Sequence, residues 1–323
     1  LSRKKLGKTN NAEVYLKKRK PYKYEILMKK NKTLFTLFIP ILFFTFTACA
    51  SHNPRTDKVK EVIPQKFLVI GHRGTGDNSI APENTMSSFK FAAKNNSAFE
   101  LDTMFSKSGE LVVIHDSDVD RTTNGKGMVD SLTLSELKQL DAAKLAPAKF
   151  KGEKIPTLDE VLNEFGGKTL VDIEIKAQAP KEEAVKIGAA VAKLLAEKKM
   201  EKQVFVTSFN PFVLETIKTT NPQVLRGQLY SSFDDVKELG WLTKFVLRNL
   251  LLNGKAEPDI LAPRYDMVDA DYVKKYQELG YKIFPWTVND PKDMENLIKL
   301  GIDGLITDRP DLANEIYGKL KKQ

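Results

Sequence analysis

The chain is poor in the residues that build disulfides, thiolate metal sites and histidine clusters: of 323 residues one is cysteine, two are tryptophan and three are histidine. With Cys49 alone, no intramolecular disulfide can form, and no later cysteine can act as nucleophile or metal ligand. The chain also lacks low-complexity stretches. Its formal net charge of +9 would suit a nucleic-acid binder, but the charge is badly distributed for one. Residues 1–32 hold twelve Lys or Arg against Glu13 and Glu25, so they carry +10 and everything after them carries −1. The body is nearly neutral, which excludes nucleic acid as its partner.

A starting Met is missing too, and residues 1–27 are read as upstream sequence outside the fold. Met28-Lys29-Lys30-Asn31-Lys32 then leads into an apolar run, Thr33 to Ala48, that is too short for a comfortable membrane span and ends Phe46-Thr47-Ala48-Cys49. A charged start, a short apolar core and small residues before a cysteine form a secretory signal of bacterial lipoprotein type over 28–48. Cys49 is expected to be the lipidated first residue of an exported protein held at the cell envelope. Phe46 is bulkier than the aliphatic residue usual at its place, and a basic tail with an uncleaved anchor is the alternative. Residues 49–66, polar and holding His52, Pro54 and Pro64, are expected to tether the lipid to a domain over 67–323.

That domain alternates strand-like and helix-like segments. Phe67–Ile70, Phe99–Phe105, Leu111–Ile114, Leu170–Ile175, Val204–Thr207, Val224–Leu229, Ile260–Ala262, Lys282–Val288 and Gly304–Thr307 are apolar or alternating runs of strand length. Helical patterns fall over Pro82–Asn95, Lys181–Lys199, Pro211–Thr219, Ala270–Leu279, Lys292–Leu300 and Pro310–Leu320, and capping-box signals start at Thr133 and Thr157. The rhythm predicts an α/β fold, a TIM (β/α)8 barrel, with a small insertion over Ser117–Pro156 after the early strands. Ser106–Glu110 is too short for a crossover helix and breaks the alternation.

The chemistry-bearing residues gather at the predicted strand ends, where such barrels place catalytic groups. Glu100 and Asp102 lie two apart on one strand, hence on one side of it, and two adjacent carboxylates repel unless a cation sits between them. With Glu174 they offer oxygen ligands only, which suit one Ca2+ or Mg2+ better than Zn2+. His72 and His115, alone in a domain otherwise free of histidine, can accept and donate protons near neutral pH. Arg73 presents a planar fork matched to phosphate, and Lys176 a mobile point charge.

In order, Gly71-His72-Arg73-Gly74, Pro82-Glu83-Asn84-Thr85, Glu100-Leu101-Asp102, Val112-Val113-Ile114-His115-Asp116, Arg121-Thr122-Thr123, Glu174-Ile175-Lys176, Ser208-Phe209, Trp286-Thr287-Val288-Asn289 and Gly304 to Asp308 resemble the glycerophosphodiester phosphodiesterases. The resemblance runs from about Phe67 to the C-terminus. It implies a phosphoric diester hydrolase acting on small glycerophosphodiesters, with His72 and His115 as the acid–base pair. It gives the divalent ion to Glu100, Asp102 and Glu174, and the substrate-binding surface to Arg73, Lys176 and Trp286, with Glu83 supporting them from behind. Seven residues, Thr75 to Ala81, separate Gly74 from Pro82, more than in compact members, and Ser108-Gly109 stands where Asp-Gly is common; both bear on substrate preference. A lysophospholipase D or sphingomyelinase D-like activity on the same barrel is the enzymatic alternative, and a ligand-binding surface lipoprotein the non-enzymatic one. No obligate protein partner is implied.

Several residues have simpler explanations. Asn84 is taken as structural, Trp286 equally as pocket wall or core, and Asp308 as the N-cap of the last helix. The apolar stretch Trp241 to Leu252 is expected to pack on the barrel, with a surface touching acyl chains as the other reading.

Overall fold

The computed structural model describes residues 54–64, 66–176, 181–232, 234, 240–251 and 253–322; Cys49 and the apolar run before it lie outside the described residues. In chain order the elements are α1 (Pro54–Val62), β1 (Leu68–Gly71), α2 (Met86–Lys94), β2 (Ala98–Phe105), β3 (Leu111–Val113), α3 (Leu134–Gln139), α4 (Leu158–Phe165), β4 (Val171–Ile175), α5 (Lys181–Lys198), β5 (Val204–Ser208), α6 (Pro211–Thr220), β6 (Leu225–Tyr230), α7 (Trp241–Arg248), α8 (Asn253–Ala256), β7 (Ile260–Pro263), α9 (Ala270–Glu278), β8 (Lys282–Ile283), α10 (Pro291–Lys299), β9 (Gly304–Thr307) and α11 (Pro310–Leu320).

Eight strands run parallel in the order β8-β7-β6-β5-β4-β2-β1-β9, the arrangement of a TIM barrel. Between β8 and β9 the barrel is nearly closed by single bonds, Asp303 N–H to Ile283 O at 3.3 Å, Ile306 N–H to Pro285 O at 2.9 Å and Val288 N–H to Ile306 O at 2.9 Å. The strand expected over Lys282–Val288 stops at Ile283, since Pro285 has no N–H to give a ladder. The short link after β2 is a hairpin: β3 pairs β2 antiparallel, Thr103 opposite Val113. The insertion that follows has its own small core of Val112, Ile114, Val119, Val129, Leu137, Ala142 and Ile155. Thr133 and Thr157 cap α3 and α4 with full capping boxes.

Period-two alternation sorts each strand into two layers. Val69, Phe99, Val204 and Val206 face the surrounding helices, whereas Leu68, Ile70, Ala98, Phe205, Leu225, Ile260, Phe284 and Ile306 share one interior cluster. Val59, Val62 and Ile63 belong to that same interior cluster. The polar tether expected over 49–66 is therefore corrected from Pro54 onward: α1 is a plug at the amino ends of the strands. Its apolar residues recur at i, i+3 and i+4, one face of a helix. Lys58 fixes it further, donating to Pro222 O at 2.8 Å and Val224 O at 3.0 Å.

The apolar stretch after β6 is corrected in part, for Leu250 does pack against Tyr230 and Leu261 of the barrel. Trp241, Leu242, Phe245 and Leu251 are exposed, so α7 does not bury these side chains against the barrel. Among the described residues no helix is long and apolar enough to cross a membrane.

Candidate active site

β1 ends at Gly71, and the chain turns at once so that His72 and Arg73 stand over the carboxyl ends of the strands. Arg73 takes a left-handed conformation, φ 55°, and Gly74 follows at φ 81°. A Cβ on Gly74 would lie 2.4 Å from Ser88 Oγ, so only glycine allows this close a turn against α2. The turn is fastened by Arg73 N–H, which donates to Glu100 Oε2 at 2.7 Å. The helix expected from Pro82 begins only at Met86, because residues 82–85 build the site instead. Asn84 adopts φ 56° and donates from Nδ2 to Asp102 Oδ2 at 2.8 Å, while Asp102 N–H donates to Asn84 Oδ1 at 3.2 Å. Asn84 is thus a positioning residue for the acidic cluster.

Ala98, Glu100 and Asp102 alternate along the interior face of β2, and Asp102 is paired in register with Glu174 of β4. Glu100, Asp102 and Glu174 are buried, with ligand oxygens within 4.8 Å of one another. Lys176 Nζ stands 2.9 Å from Asp102 Oδ1 and 2.6 Å from Glu174 Oε1, and Arg73 Nε stands 3.5 Å from Asp102 Oδ2, so two cations face three carboxylates. Burial raises Glu100 well above the usual carboxylate range, and the charges of Asp102 and Glu174 add to that. Burial raises Glu174 as well, against the pull of Lys176. For Asp102 burial pushes the same way, but the charges of Lys176 and Arg73 outweigh it and hold the group low. Glu100 Oε1 is buried without a hydrogen-bond partner. An orphaned oxygen in an oxygen-only set fits a hard divalent cation.

The two histidines are each keyed to a carboxylate. His72 Nδ1 lies 2.6 Å from Asp308 Oδ1, and Asp308 accepts from Asn289 Nδ2 at 2.6 Å. His115 Nδ1 lies 2.6 Å from Asp116 Oδ1, and Asp116 accepts from Arg121 Nε at 2.5 Å. Arg121 continues to Glu83, whose oxygens it reaches at 2.7 Å twice; Arg73 Nη1 binds Glu83 Oε1 at 2.6 Å and Asn78 Nδ2 binds Oε2 at 2.9 Å. Glu83 is spent on these three partners and holds the arginines in place. Burial lowers His115 to about 3, aided by the charges of Arg73 and Lys176, so its imidazole is neutral at pH 7. With Nδ1 turned to a carboxylate, Nε2 is the basic nitrogen.

Trp286 is half-buried, donates Nε1–H to Ala262 O at 2.7 Å and meets Phe209 edge-to-face at 5.4 Å. Every predicted site residue from His72 to Trp286 is thus at the carboxyl end of the barrel, while Cys49 is outside the described residues.

A sequence model of the Glycerophosphoryl diester phosphodiesterase family matches residues 72–312. The chain belongs to that family. It is accordingly an enzyme, a phosphoric diester hydrolase. It is 40% identical over 256 residues to a glycerophosphodiester phosphodiesterase of Caldanaerobacter subterraneus subsp. tengcongensis, covering 79% of this chain and 99% of that one. A Bacillus subtilis (strain 168) glycerophosphodiester phosphodiesterase is 31% identical over 303 residues, 90% of this chain and 99% of the other. Among solved structures, an Oleispira antarctica phosphodiesterase in complex with the product sn-glycerol-3-phosphate superimposes with a TM-score of 0.65 at 28% identity, covering 78% of this chain and 96% of that one.

In this phosphodiesterase the sequence reading missed the partners of the histidines. Asp308 is no N-cap: Arg309 occupies that position without a side-chain cap bond, and the Asp308 carboxylate goes to His72. Asp116, Arg121 and Asn289 stood inside quoted motifs without a role. The adjacency of His115 and Asp116 was the one local signal that could have found a pair. Gly76 also proves to be tied to the site, since a Cβ there would lie 1.9 Å from Asp308 Oδ1.

Proposed function

We propose that the chain hydrolyses glycerophosphodiesters such as glycerophosphocholine and glycerophosphoethanolamine to sn-glycerol 3-phosphate and the free alcohol. The observation that carries this reading is the pair of imidazoles, each fastened at Nδ1 by its own aspartate, standing with Arg73 above the buried acidic triad. Arg73 supplies a fixed guanidinium for phosphate oxygens. Neutral His115 takes the proton of the glycerol 2-hydroxyl as its oxygen attacks phosphorus, and His72, backed by Asp308, gives a proton to the departing alcohol. Water then opens the cyclic phosphate with the two roles exchanged. Glu100, Asp102 and Glu174 would hold one divalent cation, Ca2+ or Mg2+, which supplies charge neutralisation at the phosphate and a seat for glycerol hydroxyls. Lys176 and Asn84 keep Asp102 aligned. At the other end of the chain, Cys49 would carry the lipid that holds the enzyme at the cell envelope; a Cys49→Ser variant should lose incorporation of labelled fatty acid.

The deciding assay couples glycerophosphocholine hydrolysis to detection of glycerol 3-phosphate, after chelation and then with Ca2+ or Mg2+ restored. Product that returns with one ion supports the reaction and names the ion. A folded sample that releases no product with either ion overturns the reading.

A further inference from the structure

Four of the ten exposed large hydrophobic side chains among the described residues fall within eleven positions: Trp241 at 78% exposure, Leu242 at 58%, Phe245 at 53% and Leu251 at 59%. Isolated exposed apolar residues need no explanation, but a contiguous group does. Trp241, Leu242 and Phe245 stand at i, i+1 and i+4 of α7, one side of the helix. The segment's charge is as one-sided as its exposure. Residues 241–256 contain Lys244, Arg248 and Lys255 and no Asp or Glu, inside a body whose overall charge after residue 32 is close to zero. Exposed aromatic and Leu side chains on a short helix, in a segment whose only charged residues are cations, suit a helix that lies in a phospholipid interface.

We propose that the exposed face of α7, with Leu251 just beyond its end, docks on an anionic phospholipid surface. α7 follows the carboxyl end of β6 and is tied there by Lys244 Nζ, which donates to Asp234 O at 3.4 Å. It therefore stands at the end of the barrel that carries His72 and His115, whereas α1 lies at the other end. The contact is an attachment separate from any lipid at Cys49, and it turns the catalytic mouth toward the surface. Indole and phenyl rings enter the headgroup region, and the positive charge of the segment favours an anionic surface over a neutral one. The inference goes beyond the proposed reaction and does not depend on it, because its readout needs no turnover.

The test uses the full chain, so that residues 1–53 contribute equally to every sample. Only two tryptophans are present, and the difference between wild type and Trp241→Phe isolates the emission of Trp241. Mixed phosphatidylglycerol–phosphatidylcholine vesicles should shift that emission to the blue. A Leu242→Glu/Phe245→Glu variant, with unchanged circular dichroism and unchanged glycerophosphocholine turnover, should sediment with these vesicles about 10-fold or more weakly than wild type. Trp241 emission that ignores the vesicles, or shifts equally with pure phosphatidylcholine, overturns the proposal. So does a blue shift that grows with protein concentration without lipid, which would assign the face to a second copy of the chain.

Discussion

The same interior face of the barrel is apolar at one end and charged at the other. On β2 it reads Ala98, Glu100, Asp102; Ala98 lies in the interior cluster with Ile70 and Phe205, and the two carboxylates belong to the acidic triad. At the amino end, α1 closes the cluster with three buried aliphatic side chains, a problem solved by area removed from water. At the carboxyl end no such closure is available. Each buried charge there is met by another charge or by a hydrogen bond, and Glu100 Oε1 is buried without a hydrogen-bond partner. One end can be made stable by packing alone; the other holds its charges in a network of ion pairs and hydrogen bonds.

If that division is real, substitutions at the two ends should separate rate from stability. The largest effect on rate is expected from His72→Ala or His115→Ala, with kcat lower by about 10²-fold or more and the melting temperature little changed; steady-state assays beside thermal melts check both halves. Ile63→Ala, at the plugged end, should do the reverse, costing about 2–5 kcal/mol of unfolding free energy in denaturant titrations while kcat per folded molecule holds. A fall in kcat equal to that of the histidine variants would break the distinction. Asp308→Asn sharpens it within the site. It keeps the shape but removes the charge behind His72, so kcat should fall about 10-fold, less than on loss of the imidazole, with KM nearly constant. Gly76→Ala should act the same way, since its methyl would displace Asp308.

The smallest effect concerns acid stability in chelator. His115 stays neutral in the folded chain down to about pH 3, whereas the unfolded chain binds a proton below about pH 6.5. The unfolded state therefore binds more protons across that window, and stability falls as pH drops through it, with no contribution above it. His115→Gln should flatten the decline between pH 6.5 and pH 5 by about 1–2 kcal/mol, measured by denaturant unfolding.

The strand ends and the candidate site residues on them were legible in the sequence because strands and turns are local: a β-branched run broken by Gly71 places His72 wherever the rest of the chain goes. Glu100 and Asp102 share a side by the period of the strand alone. Asp308 could not be read in this way. It stands 236 residues from His72, and a helix start next to Arg309-Pro310 offered an adequate local explanation. The short pattern Val59, Val62, Ile63 was readable in principle, but it sat among polar residues and prolines that favour a tether.

The sequence by itself determined the barrel, the family and the set of candidate groups at the carboxyl ends of its strands, since these depend on residue type and on spacing along single elements. Only the tertiary structure decided which carboxylate backs which histidine, that Asn84 and Lys176 align Asp102, that α1 is a plug, and that α7 keeps an apolar face outward. Those facts depend on contacts between distant segments, where a side chain's partner is chosen by the path of the whole chain and not by its neighbours in sequence.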